Sequence, residues 1–536
     1  MTKENKSFLI GFILIFIIGP MILIYGGKAL IGGIKNYQER KESKIFHLVA
    51  TSSTKFYEDE LLNFASKEGI ELSIDYYEDL EIVDLLNSET NNYDGVWISN
   101  SIWLYMLDNS YLVTNSKSIS LSPVVMGIKK SKAEELNLIR DDVTNKDILD
   151  NIKDGKLKYV MNSVTKTNAG ASAYLNILTC LAGNPEVLKS EMLNDPKLIE
   201  SLKEFFKGVG RVSGDEEYLQ EMFKNSDYDA IINYENSLIE LNNELVNSGK
   251  EPLYLIYPTD GVSINDMPFG YVNRNQNKEE NFKKIQQFLR NNDSKKELQK
   301  NGLRTWFGGT TNEADSSVFK KEWGIDTTKY LINFKYPSKK VMNEAFELYV
   351  EALRKPTHTV FVLDMSGSMA YNEGLTSLKA SMDYILDKEQ AREELIQFSD
   401  SDKITIITFN GKVNNITDTY TGKDTKELIE FVNEIDAYGG TNIYDPSVEA
   451  LKKLKDESEE FMKVVVLMTD GESNVGSYST LQSYYKENNL NIPIYSITFG
   501  DSSEDQLRQI ASLTNAKIFD GKSGLIEAFK EVRSYN

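Results

Sequence analysis

The stretch Val360–Met369, VFVLDMSGSM, decides the fold of the C-terminal part of this 536-residue chain. It begins with apolar residues that predict a buried strand, and Asp364, Ser366 and Ser368 then follow at alternate positions. A turn needs at most one capping side chain, so this density of oxygen-bearing residues indicates a site at the strand end. Alternate side chains of an extended loop can point the same way, and Gly367 lets the backbone turn tightly. Divalent magnesium prefers such hard oxygen ligands, so the stretch predicts a metal site.

The same strand opens a series of strands alternating with helices, which predicts parallel α/β layers. The predicted elements are strands 358–364, 403–410, 462–469, 492–499 and 516–520, with helices near 374–388, 424–435, 445–456, 479–488 and 504–513.

Two further clusters of oxygen-bearing residues lie where this fold would bring them near Asp364. The loop Gly439–Asn442, GGTN, presents Thr441 just before a helix, and Asp470 follows the apolar strand 462–469. Sites in parallel α/β folds form beyond the carboxyl ends of the strands. If strands 358–364 and 462–469 are neighbours, two carboxylates and three hydroxyls surround one cation and leave one position open. The alternative is that Asp364 and the serines only cap the following helix.

These residues resemble the metal-ion-dependent adhesion site of von Willebrand factor A domains, which is written Asp-x-Ser-x-Ser, then Thr, then Asp. The residues that match it without a gap are Asp364, Ser366, Ser368, Thr441 and Asp470. The resemblance covers residues 357–536 and implies a Rossmann-like fold. It also implies a divalent metal, with Mg²⁺ favoured over Mn²⁺ or Ca²⁺, and a carboxylate of a partner protein at the open position.

Composition excludes several classes of function. The chain is 40% hydrophobic and 26% charged, which is typical of a globular protein, and its net charge of -21 disfavours binding to nucleic acid. A single cysteine, Cys180, excludes an internal disulfide and a thiolate metal cluster. The two histidines, His47 and His358, have no acid or nucleophile beside them in sequence, which argues against zinc hydrolase and Ser-His chemistry. We therefore expect no enzyme, and a metal-dependent enzyme is the least favoured hypothesis.

The N-terminus predicts a membrane segment. No charged residue interrupts residues 7–27, and about 20 apolar residues suffice to cross a bilayer. We expect residues 1–27 to be a transmembrane anchor, or alternatively a signal peptide, and residues 28–43 to be a polar stalk. The predicted location is the cell membrane of a bacterium, single-pass, with the large domains on the extracytoplasmic side. The basic residues after the span favour the opposite orientation, in which the chain would resemble cytoplasmic relatives that work with AAA-type ATPases.

Residues 44–335 predict a further α/β domain, followed by a linker helix over 336–356. The strand patterns are 45–53, 69–76 and 93–99, with helical patterns over 55–67, 184–208 and 279–300. Residues 45–335 resemble type 2 extracytoplasmic solute-binding proteins, which have two α/β lobes joined by crossing strands. The segments that carry this resemblance are HLVATSS at 47–53, YDGVWISNSIW at 93–103, and the stretches 121–136, 159–178, 229–239, 255–272 and 302–309.

This second resemblance implies a solute cleft at three helix N-termini, which offer unpaired amide donors. The candidate cleft residues are Ser52, Ser53, Ser99, Ser101, Thr167, Asn168, Tyr234 and Glu235. Family members that hold oxyanions often have a serine where this chain has Ala169, and Glu235 would repel an anion. We expect a neutral or cationic small-molecule solute, or none. In the latter case these residues are ordinary caps on a scaffold that has lost its solute.

The sequence thus predicts a membrane-anchored, extracytoplasmic binding protein. In this hypothesis the C-terminal domain uses a divalent metal to bind an acidic side chain of a partner protein. The alternative is a solute receptor coupled to a transporter or sensor, with the C-terminal domain as a relay.

Overall fold

The computed structural model describes residues 44–274, 277–312, 314–371, 373–498, 504–522 and 524–535. The predicted anchor and stalk, residues 1–43, lie outside these ranges. Within the described ranges, no helix is both long enough and apolar enough to cross a membrane. The chain forms three sheets with helices packed on their faces, which confirms the predicted mixed α/β fold.

Residues 44–335, called the body below, build the first two sheets. The strands are β1 (Phe46–Thr51), β2 (Leu72–Tyr77), β3 (Gly95–Trp97), β4 (Val113–Ser118), β5 (Ser120–Lys129), β6 (Tyr159–Asn162), β7 (Val209–Ser213), β8 (Ala230–Tyr234), β9 (Leu253–Ile256), β10 (Ser263–Asn265), β11 (Pro268–Val272) and β12 (Arg304–Thr305). The α-helices are α1 (Glu58–Lys67), α2 (Asp79–Asn87), α3 (Lys130–Glu135), α4 (Asn145–Lys153), α5 (Asn168–Leu181), α6 (Pro196–Lys207), α7 (Glu216–Lys224), α8 (Glu235–Asn247), α9 (Glu279–Leu289) and α10 (Asn292–Lys300). Shorter 3-10 segments are Ser52–Tyr57, Ser101–Met106, Ser190–Asn194 and Lys321–Trp323.

The body consists of two lobes. The first lobe has the strand order β2-β1-β3-β11-β4, and the second has β10-β5-β8-β6-β7, with β9 and β12 also paired to β5. Because β1 runs parallel to β2 and β3, the turns that follow β1 and β3 lie at one edge of the first sheet. The chain crosses between the lobes from β4 to β5, from β10 to β11 and before β12. These crossings agree with the two-lobed arrangement predicted from the sequence.

A linker joins the body to the C-terminal residues and contacts both lobes. It comprises α11 (Lys339–Leu348) and a π-helical turn (Tyr349–Leu353). Phe346 stacks on Trp103 of the first lobe, with ring centroids 6.4 Å apart. The Tyr174 hydroxyl of the second lobe donates a hydrogen bond to the Ala345 carbonyl at 2.7 Å. The linker therefore bridges the two lobes.

Residues 357–535, called the C-terminal unit below, form the third sheet. The strands are β13 (Thr357–Asp364), β14 (Lys403–Phe409), β15 (Val413–Ile416), β16 (Tyr420–Thr421), β17 (Met462–Thr469), β18 (Ile494–Thr498) and β19 (Ile518–Asp520). The helices are α12 (Gly374–Leu386), α13 (Lys388–Arg392), α14 (Lys426–Asn433), α15 (Tyr444–Leu454), α16 (Tyr478–Glu487), α17 (Glu504–Thr514) and α18 (Leu525–Arg533), with a 3-10 turn over Gly367–Ala370. The order β15-β14-β13-β17-β18-β19 is parallel except for β15 and for β16, which also pairs with β14.

The central strand β13 is buried on both faces, which explains its continuous apolar run. Phe361 and Leu363 pack in one cluster with α12 and α18, while Val360 and Val362 pack in another with α15 and α16. Full burial of each such side chain contributes about 1.5–3 kcal/mol to folding. This two-sided packing fixes the position of the strand end, and with it Asp364.

The C-terminal unit docks on the second lobe through Arg211 of β7. The guanidinium group is buried and donates hydrogen bonds to the Tyr495 hydroxyl at 2.8 Å and to the Asn515 carbonyl at 2.9 Å. Close by, Lys517 forms an ion pair with Asp215 at 2.9 Å. Since these polar contacts are directional, they set the orientation of the unit on the lobe.

Candidate metal site and interlobe cleft

The candidate metal site lies at the carboxyl edge of the third sheet, where β13 and β17 end side by side. The strands are parallel with Leu363 opposite Met468, which brings Asp364 beside Thr469. Thr469 Oγ1 donates a hydrogen bond to Asp364 Oδ2 at 2.6 Å, and Ser366 N donates to Asp364 Oδ1 at 2.8 Å. Asp364 is fully buried, so both carboxylate oxygens are held in fixed positions.

A continuous run of oxygen atoms leads from Ser366 to Asp470. The hydroxyl oxygens of Ser366 and Ser368 are 3.0 Å apart, and Ser368 Oγ donates to Asp470 Oδ1 at 2.8 Å. Asp470 comes directly after β17, and Ser368 is exposed at the surface. Four of the five predicted ligands thus converge on one edge of the sheet.

The fifth predicted ligand, Thr441, lies on a loop whose backbone is bonded to the turn that carries the serines. Gly367 N donates to the Gly439 carbonyl at 3.0 Å. Gly439 has a φ of 86°, a left-handed conformation that favours glycine. Thr441 is buried, and its N–H donates to Asn474 Oδ1 at 3.1 Å. The loop therefore holds Thr441 at the same edge as the other four residues.

The donor set fits a hard divalent cation, because all five candidate ligands supply carboxylate or hydroxyl oxygens. Adjacent ligands of an octahedral Mg²⁺ lie about 3 Å apart, because each metal–oxygen bond is about 2.1 Å. The oxygen separations of 3.0 Å from Ser366 to Ser368 and 2.8 Å from Ser368 to Asp470 match this spacing. Neighbouring oxygens in the seven-coordinate shell of Ca²⁺ are also about 3 Å apart, so the separations fit a hard divalent cation of either size.

The electrostatics of the site also fit a cation. The pKa of Asp364 is raised to about 6, mainly by burial; the hydrogen bonds from Thr469 and Ser366 lower it, and the nearby Asp470 adds to the rise. Burial raises the pKa of Asp470 as well, while the hydrogen bond from Ser368 opposes the rise. An opposite charge between two such carboxyl groups favours their ionised forms. A cation would therefore relieve the cost of ionising both acids.

Neither histidine of the chain can act as a general base at this edge. His358 lies at the amino end of β13, about 20 Å of extended strand from Asp364. Its Nδ1 bonds Glu457 at 2.7 Å and its Nε2 bonds Thr405 at 3.2 Å. His47 belongs to β1 of the body. The arrangement is thus suited to holding an ion, with no histidine placed to move a proton.

The cleft between the lobes is closed by hydrogen bonds between the protein's own side chains. Trp103 Nε1 of the first lobe donates to Asn168 Oδ1 of the second lobe at 2.7 Å. Asn168 Nδ2 donates to the Tyr234 hydroxyl and to Asn265 Oδ1, both at 2.7 Å. Asn100 Nδ2 of the first lobe donates to the same Asn265 oxygen at 2.6 Å. All five side chains are buried, and they contact one another directly across the cleft.

The other candidate cleft residues of the first lobe bond within or close to the turns that carry them. Ser52 Oγ lies 3.5 Å from a carbonyl at the end of β2, and the hydroxyls of Ser53 and Ser99 are 3.3 Å apart. Ser101 Oγ donates to Asp266 Oδ2 at 2.5 Å, and Ser101 N donates to Asp266 Oδ1 at 2.8 Å. These serines therefore have hydrogen-bond partners within the protein in the closed body.

Thr167 and Glu235 have structural partners in the second lobe. Thr167 caps α5, because its Oγ1 accepts a hydrogen bond from Gly170 N at 3.1 Å. Glu235 is completely buried, and its carboxylate accepts from Arg304 Nε at 2.9 Å and from the Tyr257 hydroxyl at 2.5 Å. The Glu235 carboxylate is thus engaged by a buried cation of the protein itself.

Three acids outside the predicted set also lie between the lobes: Glu78 and Asp79 of the first and Glu216 of the second. Burial raises the pKa of Glu78 to about 8, with a contribution from Asp79, and raises the pKa of Asp79 to about 6. Burial, together with Glu78 and Asp79, raises the pKa of Glu216 well above its usual range. Among the described residues, no group of three or more His, Cys, Asp or Glu side chains has the geometry to hold a metal. The candidate metal site is of a different kind, because hydroxyls complete its two carboxylates.

The comparison with known proteins agrees with the geometry at β13. The family model of the von Willebrand factor type A domain matches residues 359–529. This part of the chain is a von Willebrand factor A domain. Its recognition from the Asp364, Thr441 and Asp470 motifs is confirmed. The A domain thus carries its candidate ligands on the segments that the sequence pattern indicated.

Several solved structures match part of the chain at low identity. A von Willebrand factor type A protein from Catenulispora acidiphila is 18% identical with a TM-score of 0.29 and covers 34% of this chain and 43% of its own. The chain thus spans less than half the length of that protein. An ABC transporter structure from Clostridium perfringens is 14% identical with a TM-score of 0.39 and covers 56% of this chain and 95% of its own. The periplasmic binding protein AfuA from Actinobacillus pleuropneumoniae, solved with fructose-6-phosphate, is 12% identical with a TM-score of 0.41 and covers 58% of this chain and 99% of its own. No curated protein sequence matches the chain.

The sequence analysis missed two kinds of residue at these sites. Thr469, whose hydroxyl holds Asp364, could have been singled out because it directly precedes Asp470 at the strand end. Trp103 and Asn265, which close the cleft together with Asn168, carried no local signal, because their roles depend on the distance between the lobes.

Proposed function

We propose that the chain is a binding protein whose A domain holds a divalent cation and uses it to grip a carboxylate of a partner protein. The ligands in this proposal are Asp364, Ser366, Ser368, Thr441 and Asp470. The observation that carries it is the run of oxygen contacts of 3.0 and 2.8 Å that leads from the serine turn to Asp470. The hard oxygen ligands suit Mg²⁺, and Mn²⁺ or Ca²⁺ can bind the same kind of ligand.

The mode of binding follows from the charge of the ligands. Two carboxylates balance the formal charge of a divalent cation, but the three hydroxyls are neutral and donate little electron density to the metal. A cation bound there retains affinity for a further anionic oxygen. The exposure of Ser368 and the partial exposure of Asp470 make this face of the site accessible to a partner. We propose binding and not catalysis, a choice supported by the absence of a histidine from this edge of the described sheet.

The body is proposed to act as a scaffold. The direct contact of Trp103 with Asn168 across the cleft and the buried pairing of Glu235 with Arg304 support this role. The alternative, a solute receptor coupled to a transporter or sensor, requires these contacts to open. A small solute that raises the melting temperature of the chain equally in the wild type and in Asp470→Ala would favour the alternative.

We also propose that residues 7–27 anchor the chain in the membrane with both large parts on the extracytoplasmic side. The charge-free sequence of this segment supports an anchor. Protease treatment of intact cells tests the orientation. Degradation of the A domain without cell lysis is expected, and protection until lysis would contradict the proposal.

Binding of Mn²⁺ to the purified full chain, followed by electron paramagnetic resonance, tests the metal site. We expect one site in the wild type and its loss in Asp470→Ala, because one of two carboxylates is removed. Asp418→Ala is the matched control, since Asp418 is an exposed acid of the same domain in the β15–β16 connection. Unchanged Mn²⁺ binding in Asp470→Ala, or equal losses in both variants, would refute the assignment.

A further inference from the structure

The exposed apolar side chains of the A domain are concentrated around the candidate metal site. Among its described residues, the large hydrophobic side chains that are exposed are Tyr371, Ile416, Tyr438 and Val475. Three of these lie on loops that carry metal ligands: Tyr371 is 73% exposed, Tyr438 60% and Val475 46%. Exposed apolar side chains scattered singly need no explanation, but a group around one site marks an interaction surface.

Each of the three residues is bonded through its backbone to a ligand-bearing segment. Tyr371 N donates to the Ser368 carbonyl at 2.9 Å, and Tyr438 N donates to the carbonyl of Met365 at 2.9 Å. Val475 N donates to the Thr441 carbonyl at 3.1 Å. These bonds fix the backbone of the three residues next to the ligand-bearing segments.

The charges on the same loops are mostly negative. Glu373, Asp436 and Glu472 are exposed, and each lies two residues from Tyr371, Tyr438 or Asp470. Lys412, on the neighbouring β14–β15 turn, is an exposed cation. A partner that brings several acids would be repelled by this surface, whereas one carboxylate can be accepted at the cation.

We propose that Tyr371, Tyr438 and Val475 form an apolar rim around the metal site. This rim selects a protein segment in which one acidic residue is flanked by apolar side chains and bordered by basic ones. The inference rests on the proposed function, because the metal receives the acidic residue. It adds the specificity: the apolar neighbours of that acid pack against the rim, and the basic border faces Glu373, Asp436 and Glu472.

Aromatic side chains at the centre of an interface commonly dominate its affinity. Both tyrosines have a large apolar ring and a polar hydroxyl, so they can pack against an apolar partner while remaining soluble when free. Loss of each ring from such an interface is expected to weaken binding about tenfold.

A random peptide library displayed on phage, selected on the full chain in Mg²⁺ and eluted with EDTA, tests the inference. The expected peptides contain one Asp or Glu with apolar residues within two positions, and Lys or Arg farther out. The same selection on Tyr371→Ser/Tyr438→Ser is expected to recover far fewer phage and to lose the apolar preference. Tyr371→Phe/Tyr438→Phe is expected to retain it, because the rings remain.

Two controls separate this inference from the proposed function. The first control is that the serine double variant should bind Mn²⁺ as the wild type does, since neither tyrosine is a ligand. The second is the matched variant Tyr111→Ser/Tyr330→Ser, which removes two exposed tyrosines of the body and should select the same peptides as the wild type. If the wild type binds Mn²⁺ but the serine variant at the rim selects the same peptides, the proposed role of the rim is refuted. The same holds if Mn²⁺ binds and no peptide is enriched. In both cases the metal site itself is not refuted. If the wild type binds no Mn²⁺, the proposed function fails, and the inference fails with it.

Discussion

Replacement of Asn168 by alanine is the sharpest test of the closed body. Asn168 accepts a hydrogen bond from Trp103 across the cleft and donates to Tyr234 and Asn265, all at 2.7 Å. Only the bond to Trp103 joins the first lobe to the second through this side chain. The substitution therefore weakens closure of the lobes and also destabilises the second lobe.

The magnitude follows from burial. Trp103 Nε1–H would lose its acceptor in a buried place, which costs about 1–3 kcal/mol. Each of the other three bonds, to Tyr234, Asn265 and Ser172, contributes about 1 kcal/mol. The cost at Trp103 changes the equilibrium between closed and open lobes and shifts it about 5- to 150-fold towards the open form. The loss of the hydrogen bonds within the second lobe lowers the stability of that lobe alone.

Hydrogen exchange of residues 101–106 and the radius of gyration from small-angle scattering measure the opening. Faster exchange and a larger radius are expected for Asn168→Ala. The matched control is Asn176→Ala on the same helix α5, because Asn176 Nδ2 donates at 3.2 Å to the Gly261 carbonyl within the second lobe. If both variants exchange equally fast in this segment, or if neither differs from the wild type, the cross-lobe bond does not hold the cleft closed.

Three further predictions follow from individual residues. Burial alone would raise the pKa of Asp402, but Arg354 and hydrogen bonds hold this pKa below its usual range. Asp402→Asn removes one partner of this buried ion pair, so it should lower the free energy of unfolding by about 3 kcal/mol at pH 7. This stabilisation is present above the unfolded pKa near 4 and is lost as the pH falls through the lower native pKa. Denaturant unfolding at pH 7 and at pH 3.5 should therefore show a smaller difference at the lower pH. Gly439→Ala places a Cβ at a residue with φ 86°, only 3.1 Å from Asn410 Nδ2, so the affinity for Mn²⁺ should fall about tenfold. Gly411→Ala is the control. Its Cβ has no neighbour closer than 3.9 Å, so the affinity should not change. The pKa values of Glu78, near 8, and Asp79, near 6, are raised in the closed body. Their contribution to closure is thus complete below about pH 4 and is lost as the pH rises through these values, so the scattering radius should be larger at pH 8.5 than at pH 5.

The central part of the A domain could be predicted because short segments of the sequence determine its strands. A parallel strand buried on both faces requires a continuous apolar run, and residues 360–363 supply it. The ligands Asp364 and Asp470 follow such runs directly, so their meeting required only that β13 and β17 be neighbours. The strands β15 and β16 were missed, because they are short, half exposed and formed by pairing to β14.

The cleft could not be predicted for the opposite reason. Glu235 has the sequence position of a cleft residue, but its partner Arg304 arrives on β12 after two further crossings between the lobes. Asn168 likewise meets Trp103 only because the lobes are closed. No periodicity or turn signal encodes such a distance, so the predicted solute-facing roles of these residues remain predictions.

The position of the linker bears on whether the A domain can report the state of the body. The linker and Arg354 enter at the amino end of β13, whereas the candidate ligands lie at its carboxyl end, about 25 Å away along the strand. A relay through the linker would have to pass through a strand that is packed on both faces, and such packing resists small displacements. We therefore expect Asn168→Ala to open the lobes without changing the affinity of the full chain for Mn²⁺. A tenfold change in that affinity would instead support the receptor with a relay, because it would couple the cleft to the metal site.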